Sequence, residues 1–429
     1  MLRNLVKTNQ KFIKHILFSY GVIIFNIVSS IYSIKEIITI LDKDVYGLWI
    51  VAINFVGLLG ILNFGFHTVA IFQFTHHQNN NTLNKFFSGN FYVIISQIIL
   101  TLIGFIGLFY YSSFIVSDYS QNILFKDLLI LLLPSTIFNI VSVYFEAVLY
   151  YNLKFIYQKN FLELLRIGIT NLLFVFVLKI WPDVKSLGYV NMVVSILILC
   201  FTYTRFLKNQ KIELDFKLVN STYLKYNLTN ALAFWILNMG SYVISQIDVL
   251  FISSFKKDLG LVTMYSQSFR LQEISLRFIK KIAENKGPKI LALYNDRKFD
   301  AVIDIFNKLI RINLILSISA FIGIFFLGKI VLEFWLGNKI IFDQTLISVL
   351  GLLSITGSLH WVFWNFCNLT GQQNKVRIIT VVEVCLNLCL SYFLINYLGI
   401  IGLGIASLTS NSITIIYMYI LFNKFKESA

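Results

Sequence analysis

The sequence predicts an all-helical protein that crosses a membrane many times. Three observations carry this. The chain is 57% hydrophobic and 13% charged, with a mean hydropathy of +0.75. Soluble domains carry about 25% charged residues. It divides into about twelve apolar runs, each near the ~20 residues that a helix needs to cross a hydrocarbon core. Its basic residues gather on alternate connections, which is the sidedness pattern of polytopic membrane proteins. A net charge of +15 would suggest nucleic acid in a soluble protein. Here the sidedness pattern accounts for it, and no nucleic-acid partner is expected.

The runs follow in order. The first spans roughly His15–Ile34 and extends toward Leu41. The second is Tyr46–Val69, the third Phe87–Tyr111 and the fourth Leu128–Tyr150. The fifth is Phe161–Ile180, the sixth Leu187–Phe206 and the seventh Leu228–Ser253. The eighth is Gly260–Lys280, the ninth Leu309–Leu327 and the tenth Thr345–Cys367. Ile378–Tyr397 and Ile400–Phe422 complete the set. With the N-terminus inside, 22 of the 36 Lys and Arg fall on cytoplasmic segments and nine on outer ones. Both termini are then cytoplasmic. The first run is too long for a cleavable signal peptide, and no small-residue cleavage site follows it.

Short echoes divide the chain. Lys43-Asp44-Val45 returns as Lys257-Asp258-Leu259, 214 residues on. Asn171-Leu172 returns as Asn387-Leu388 after 216, and Leu187-Gly188 as Leu398-Gly399 after 211. Near-constant offsets at matching helix boundaries predict two six-helix bundles by duplication. Residues 1–207 form the first, 208–226 a polar cytoplasmic linker and 227–429 the second. A substrate site is expected between them, near mid-membrane.

The eighth run is unlike the others. Arg270, Glu273, Arg277, Lys281 and Glu284 recur every three or four residues, so they share one helix face. A charge at the centre of a membrane helix costs about 2.5–3.5 kcal/mol, so the stripe should face a wet interior. Arg270 lies about ten residues, or ~15 Å, into its helix. A guanidinium presents forked donors that match phosphate oxygens. The stripe therefore points to an anionic, phosphate-bearing substrate. Glu273 can hold both arginines or trade places with the phosphates. Lys280 and Lys281, at the cytoplasmic end, also suit simple snorkelling to the interface.

Four stretches taken together carry a family resemblance. Leu41-Asp-Lys-Asp-Val-Tyr-Gly-Leu-Trp49 leads into Leu58-Leu-Gly-Ile-Leu-Asn63-Phe64-Gly65. Gln246-Ile-Asp248-Val-Leu-Phe-Ile precedes Gly260, Tyr265 and Phe269-Arg270-Leu271. Leu332-Glu-Phe-Trp335-Leu-Gly337 ends the ninth run, and Tyr397-Leu-Gly399-Ile-Ile-Gly402-Leu-Gly-Ile-Ala406 opens the twelfth. The ordered set resembles the Wzx-type polysaccharide flippases of the multidrug/oligosaccharidyl-lipid/polysaccharide (MOP) exporter superfamily. The resemblance implies a MATE-like pair of lobes that rock between inward-open and outward-open states. It implies that an undecaprenyl-diphosphate-linked oligosaccharide is moved across a bacterial cytoplasmic membrane, for O-antigen or capsule assembly. A polysaccharide polymerase and a chain-length regulator would be its partners, together with membrane lipids. The family's second helix often ends in Asp-Phe-Gly or Asp-Leu-Gly, but this chain has Asn63, so no carboxylate is available there for coupling.

The remaining intramembrane charges are secondary candidates. Glu146, Asp248 and Glu383 suit coupling to H⁺ or Na⁺, or helix pairing. Glu163 and Arg166, three residues apart, suit a structural pair or a cavity wall, and Arg166 joins the substrate-binding set of Arg270, Arg277, Glu273 and Lys281. Pro134 should bend the fourth helix. Trp49, Trp181 and Trp335 fall at outer helix ends, where amphipathic rings sit well. Trp361 and Trp364 suit glycan stacking or packing. Cys200, Cys367, Cys385 and Cys389 read as small core residues, with no metal site and no cofactor expected. Asp42-Lys43-Asp44 has glycosyltransferase spacing but no accompanying soluble domain, and His76-His77 lacks metal-ligand spacing. No phosphate-cradling glycine loop is present. The chain thus reads as a transporter rather than an enzyme. A drug exporter of the same fold is the competing reading, and a polysaccharide polymerase would need a larger outer loop than any here.

Overall fold

A computed structural model describes residues 2–63, 80–146, 155–208, 213–219 and 246–428 except 285, with positions 225, 235 and 240. His76-His77, the ends of the second and fourth runs, and most of the seventh run lie outside the described residues. Within them every regular element is helical. Among the described residues, ten helices are long and apolar enough to cross a membrane. The eighth run also forms a continuous helix, and its polar and charged residues keep it out of that set. The chain is an all-α, multi-pass membrane protein. It divides into two compact units, Met1–Trp235 and Ile236–Ala429.

The first unit contains α1 (Leu2–Leu41), α2 (Lys43–Gly57), α3 (Asn80–Ile115) and α4 (Tyr119–Glu146). It continues with α5 (Phe155–Glu163), a π-helical stretch over Leu164–Ile169, α6 (Thr170–Ile180) and α7 (Lys185–Leu207). α4 packs along α7 and against α2, and α1 runs along α6. Leucine and phenylalanine fill these seams, including Phe125, Leu128, Leu129 and Leu187, all at most 1% exposed. α4 runs unbroken through Pro134, and the Ser135 and Thr136 hydroxyls both donate to the Leu132 carbonyl. Asp118 starts α4: its carboxylate accepts from Gln121 N (2.9 Å) and Ser120 Oγ (2.6 Å), which holds its pKa below the ordinary value.

The second unit contains helical residues 246–251, a π-helical stretch over Ile252–Lys256, α8 (Leu259–Glu284) and the short α9 (Gly287–Asn295). Then come α10 (Phe299–Leu336), α11 (Gln344–Leu369), α12 (Gln373–Leu398) and α13 (Ile401–Ser428). α10 packs on α11, and α13 on both α11 and α12. α8 fits against α10 and α11 because glycines let it approach. A Cβ on Gly357 of α11 would sit 2.9 Å from Leu276 Cδ1, and one on Gly328 of α10 would sit 3.4 Å from Leu271 Cδ1; separately, a Cβ on Gly402 of α13 would sit 2.4 Å from the Leu394 carbonyl oxygen of α12.

Helix starts sharpen the repeat. α2 begins at Lys43 and α8 at Leu259, while α7 begins at Lys185 and α13 at Ile401. Both differences are 216, the offset already seen between Asn171 and Asn387. Asp42 and Asp258, also 216 apart, each accept from a backbone N–H at their helix start (2.8 and 3.0 Å). Asp42 is therefore a helix cap. The Leu187-Gly188 echo is displaced: Gly188 lies inside α7, whereas Gly399, at φ 62°, ends α12.

Two expectations about surface and core are corrected. Cys367 is buried, but Cys200, Cys385 and Cys389 are exposed. An apolar helix in lipid shows no polar face, so burial cannot be read from its periodicity. Trp49 and Trp335 are buried in helix packing, Trp49 edge-on to Phe174 at 5.8 Å. Of the three outer tryptophans only Trp181 is exposed, packed beside Tyr189.

Candidate functional site

α8 forms because its apolar residues recur at helical spacing and Asp258 caps its start. At 26 residues it is about 39 Å long, enough to cross a bilayer. Its inner face carries Tyr265, Ser268, Gln272, Leu276, Ile279 and Ala283, all buried. Arg270, Glu273, Arg277 and Lys281 sit on the opposite face, away from the core of their own unit.

These charges differ in how they are held. Arg277 donates to Glu273 at 2.8 Å, with both side chains about 40% exposed. Such exposed pairs contribute only ~0.2–1 kcal/mol, so Glu273 holds Arg277 weakly. Arg270 is half-buried and, among the described residues, has no hydrogen-bond or ion-pair partner. Lys281 is half-buried on the same face. Lys280 lies over the Trp361 ring at 4.9 Å, and Trp364 stacks on Trp361 at 5.2 Å.

The acids occupy separate settings. Asp248 is 5% exposed and accepts from the Tyr265 hydroxyl at 2.5 Å; its Oδ1 is buried without a partner. Glu383 is 2% exposed and lies 3.3 Å from His360 Nε2, with Oε1 buried and unpartnered. Both therefore keep an acceptor available for a proton or cation. Glu146 differs, because the Arg166 guanidinium faces both its oxygens.

The expected Glu163–Arg166 pair is therefore corrected to Glu146–Arg166. The cause is local backbone. Leu164–Ile169 is π-helical, and Thr170 N bonds back five residues to the Leu165 carbonyl. The wider turn takes residues three apart out of register. Arg166 turns instead toward α4.

Sequence reasoning missed His360, Tyr265 and the polar cluster around Arg166. His360 had a usable signal: an ionisable ring inside the apolar run Ser358-Leu-His-Trp-Val-Phe-Trp364. The other contacts join distant parts of the chain and leave no local trace.

No family model matches the chain, and no curated protein does. Solved structures do. A multidrug-resistance MATE family transporter of the MOP superfamily, inward-facing, superposes with a TM-score of 0.74 over 95% of this chain and 99% of its own, at 14% identity. This is the MATE-type fold. The lipid II flippase MurJ, in an inward closed conformation, gives 0.71 over 94% of this chain and 86% of its own, at 17% identity. A MOP superfamily transporter from Pyrococcus furiosus gives 0.61 over 96% and 94%, at 12% identity. Identities this low carry the architecture and nothing finer.

Proposed function

We propose that this protein is a flippase. It moves an undecaprenyl-diphosphate-linked oligosaccharide across the bacterial cytoplasmic membrane by alternating access, in surface-polysaccharide assembly. One observation carries the reading: the unpartnered, half-buried Arg270 on a membrane-length helix. Unpaired charge in hydrocarbon is prohibitive, so this guanidinium must meet water or an anion during the cycle. A diphosphate supplies that anion. Arg277 adds a second fork once Glu273 releases it, and Lys281 adds charge at the end of the helix. Arg166 stays with Glu146 and contributes a polar wall, not free charge. Asp248 and Glu383 are the coupling candidates for H⁺ or Na⁺.

A drug exporter of the same fold is the second reading, favoured by the MATE neighbours. A cationic drug would be repelled by Arg270 and Arg277. The test is leaflet-resolved detection of the lipid-linked glycan in vesicles from a null strain. Wild-type protein should move it outward, and Arg270→Glu should leave it on the cytoplasmic side. Normal polysaccharide assembly with Arg270→Glu would defeat the proposal.

A further inference from the structure

The first unit holds a cavity of about 320 Å³, lined by Asn139 and Val143 of α4, Arg166 of the π-helical stretch, Thr170 of α6, and Asn191, Val194, Ser195 and Ile198 of α7. That is the lower end of ligand-pocket sizes, and room for on the order of ten waters. Its walls have an unusual balance. Among the described residues Arg166 is its sole charged lining residue, and Glu146 already neutralises it. A guanidinium has five donors, and Glu146 engages two, so others remain for the cavity. The side chains of Asn139, Asn191 and Ser195 have no hydrogen-bond partner among the described residues. Ser195 is 5% exposed. The donors and acceptors of these side chains line the cavity and are available to a partner that enters.

The chemistry of that partner follows from the lining. An anion would find no net positive charge, and a cation no free carboxylate. An apolar molecule would strand two amides and a hydroxyl. An uncharged polyol fits: its hydroxyls both donate and accept, as the amides and Ser195 do, and its C–H faces suit Val143, Val194 and Ile198. We infer that this cavity binds an uncharged sugar ring. In the flippase reading, on which its place in transport rests, the ring is part of the glycan, held apart from the diphosphate. A free cytoplasmic monosaccharide is the other source of the same chemistry.

The test is saturation-transfer NMR on the full chain in nanodiscs. The probes are uncharged monosaccharides that include hexose epimers and N-acetylhexosamines, then the same sugars on a short polyprenyl diphosphate. Saturable binding is expected for at least one free sugar, undisturbed by inorganic pyrophosphate. Asn191→Leu should weaken it roughly fivefold, and Ser195→Ala, a minimal change that spares packing, roughly threefold. Tighter binding of the polyprenyl-linked form would identify the lipid-linked glycan as the source, and equal binding the free sugar. If no sugar binds to folded protein, the cavity holds ordered water only and the inference falls. It falls equally if binding ignores both substitutions or is displaced by pyrophosphate. Sugar binding with unaltered glycan sidedness in vesicles would uphold the cavity and defeat the flippase.

Discussion

Cutting the Arg166–Glu146 pair from its two ends should cost unequal amounts. The Glu146 side chain is 10% exposed and that of Arg166 is 36% exposed. Arg166→Met strands a carboxylate with almost no access to water. Breaking a buried pair this way costs about 3–5 kcal/mol. The half-exposed partner places this case near ~3 kcal/mol, since exposed pairs contribute under ~1. Glu146→Leu leaves a guanidinium on the wall of a polar cavity, where water and the Asn139 and Asn191 amides can solvate it. A loss of about 1–2 kcal/mol follows. The double substitution Arg166→Met/Glu146→Leu removes both charges and should recover most of the loss, because apolar replacement of a buried pair is often neutral. The cycle should therefore show coupling of at least ~1.5 kcal/mol. Reversible unfolding of the purified protein in mixed detergent supplies the four free energies. Equal single losses, or a strictly additive double variant, would refute this account of the pair.

Other outcomes are open to direct measurement. Gly402→Ala places a methyl against the Leu394 carbonyl and should destabilise by about 1–3 kcal/mol, read from the detergent melting temperature. Asn387→Leu removes donations from Nδ2 to Ser407 Oγ (3.1 Å) and Ser410 Oγ (3.4 Å) that tie α12 to α13. Interhelical bonds in membranes average near ~0.6 kcal/mol, so the drop should be small but measurable in the same assay. Asp118 has a lowered folded pKa, so its cap contributes above the unfolded carboxylate pKa of about 3.9 and is lost as pH falls through the lower folded value. The protection factor of the Gln121 amide, taken relative to its intrinsic exchange rate at each pH, should therefore fall on acidification in the wild type, and Asp118→Asn should abolish that pH step.

Apolar length was enough to read the helical, many-span architecture, because a membrane helix must satisfy its backbone internally and span a set thickness. The α8 stripe was legible for the same reason: charged residues at helical spacing stand out against an apolar background. Fine contacts were not. Lys280 suits snorkelling by sequence, yet it lies over Trp361, which comes from a helix some eighty residues away. The exposed Cys385 and Cys389 show the limit of reading burial where both core and lipid are apolar. Asn139, Asn191 and Ser195 look like ordinary helix residues until folding gathers them around one void.

The widened turn at Leu164–Ile169 has a further consequence. It acts as a phase shifter. Winding the same six residues as ordinary α-helix would swing everything beyond them by about 100°. Arg166 would lose its aim at Glu146, and Thr170 its place on the cavity wall. A change of winding there would thus erase a charge pair and a polar chamber together, while leaving hydropathy and span count untouched.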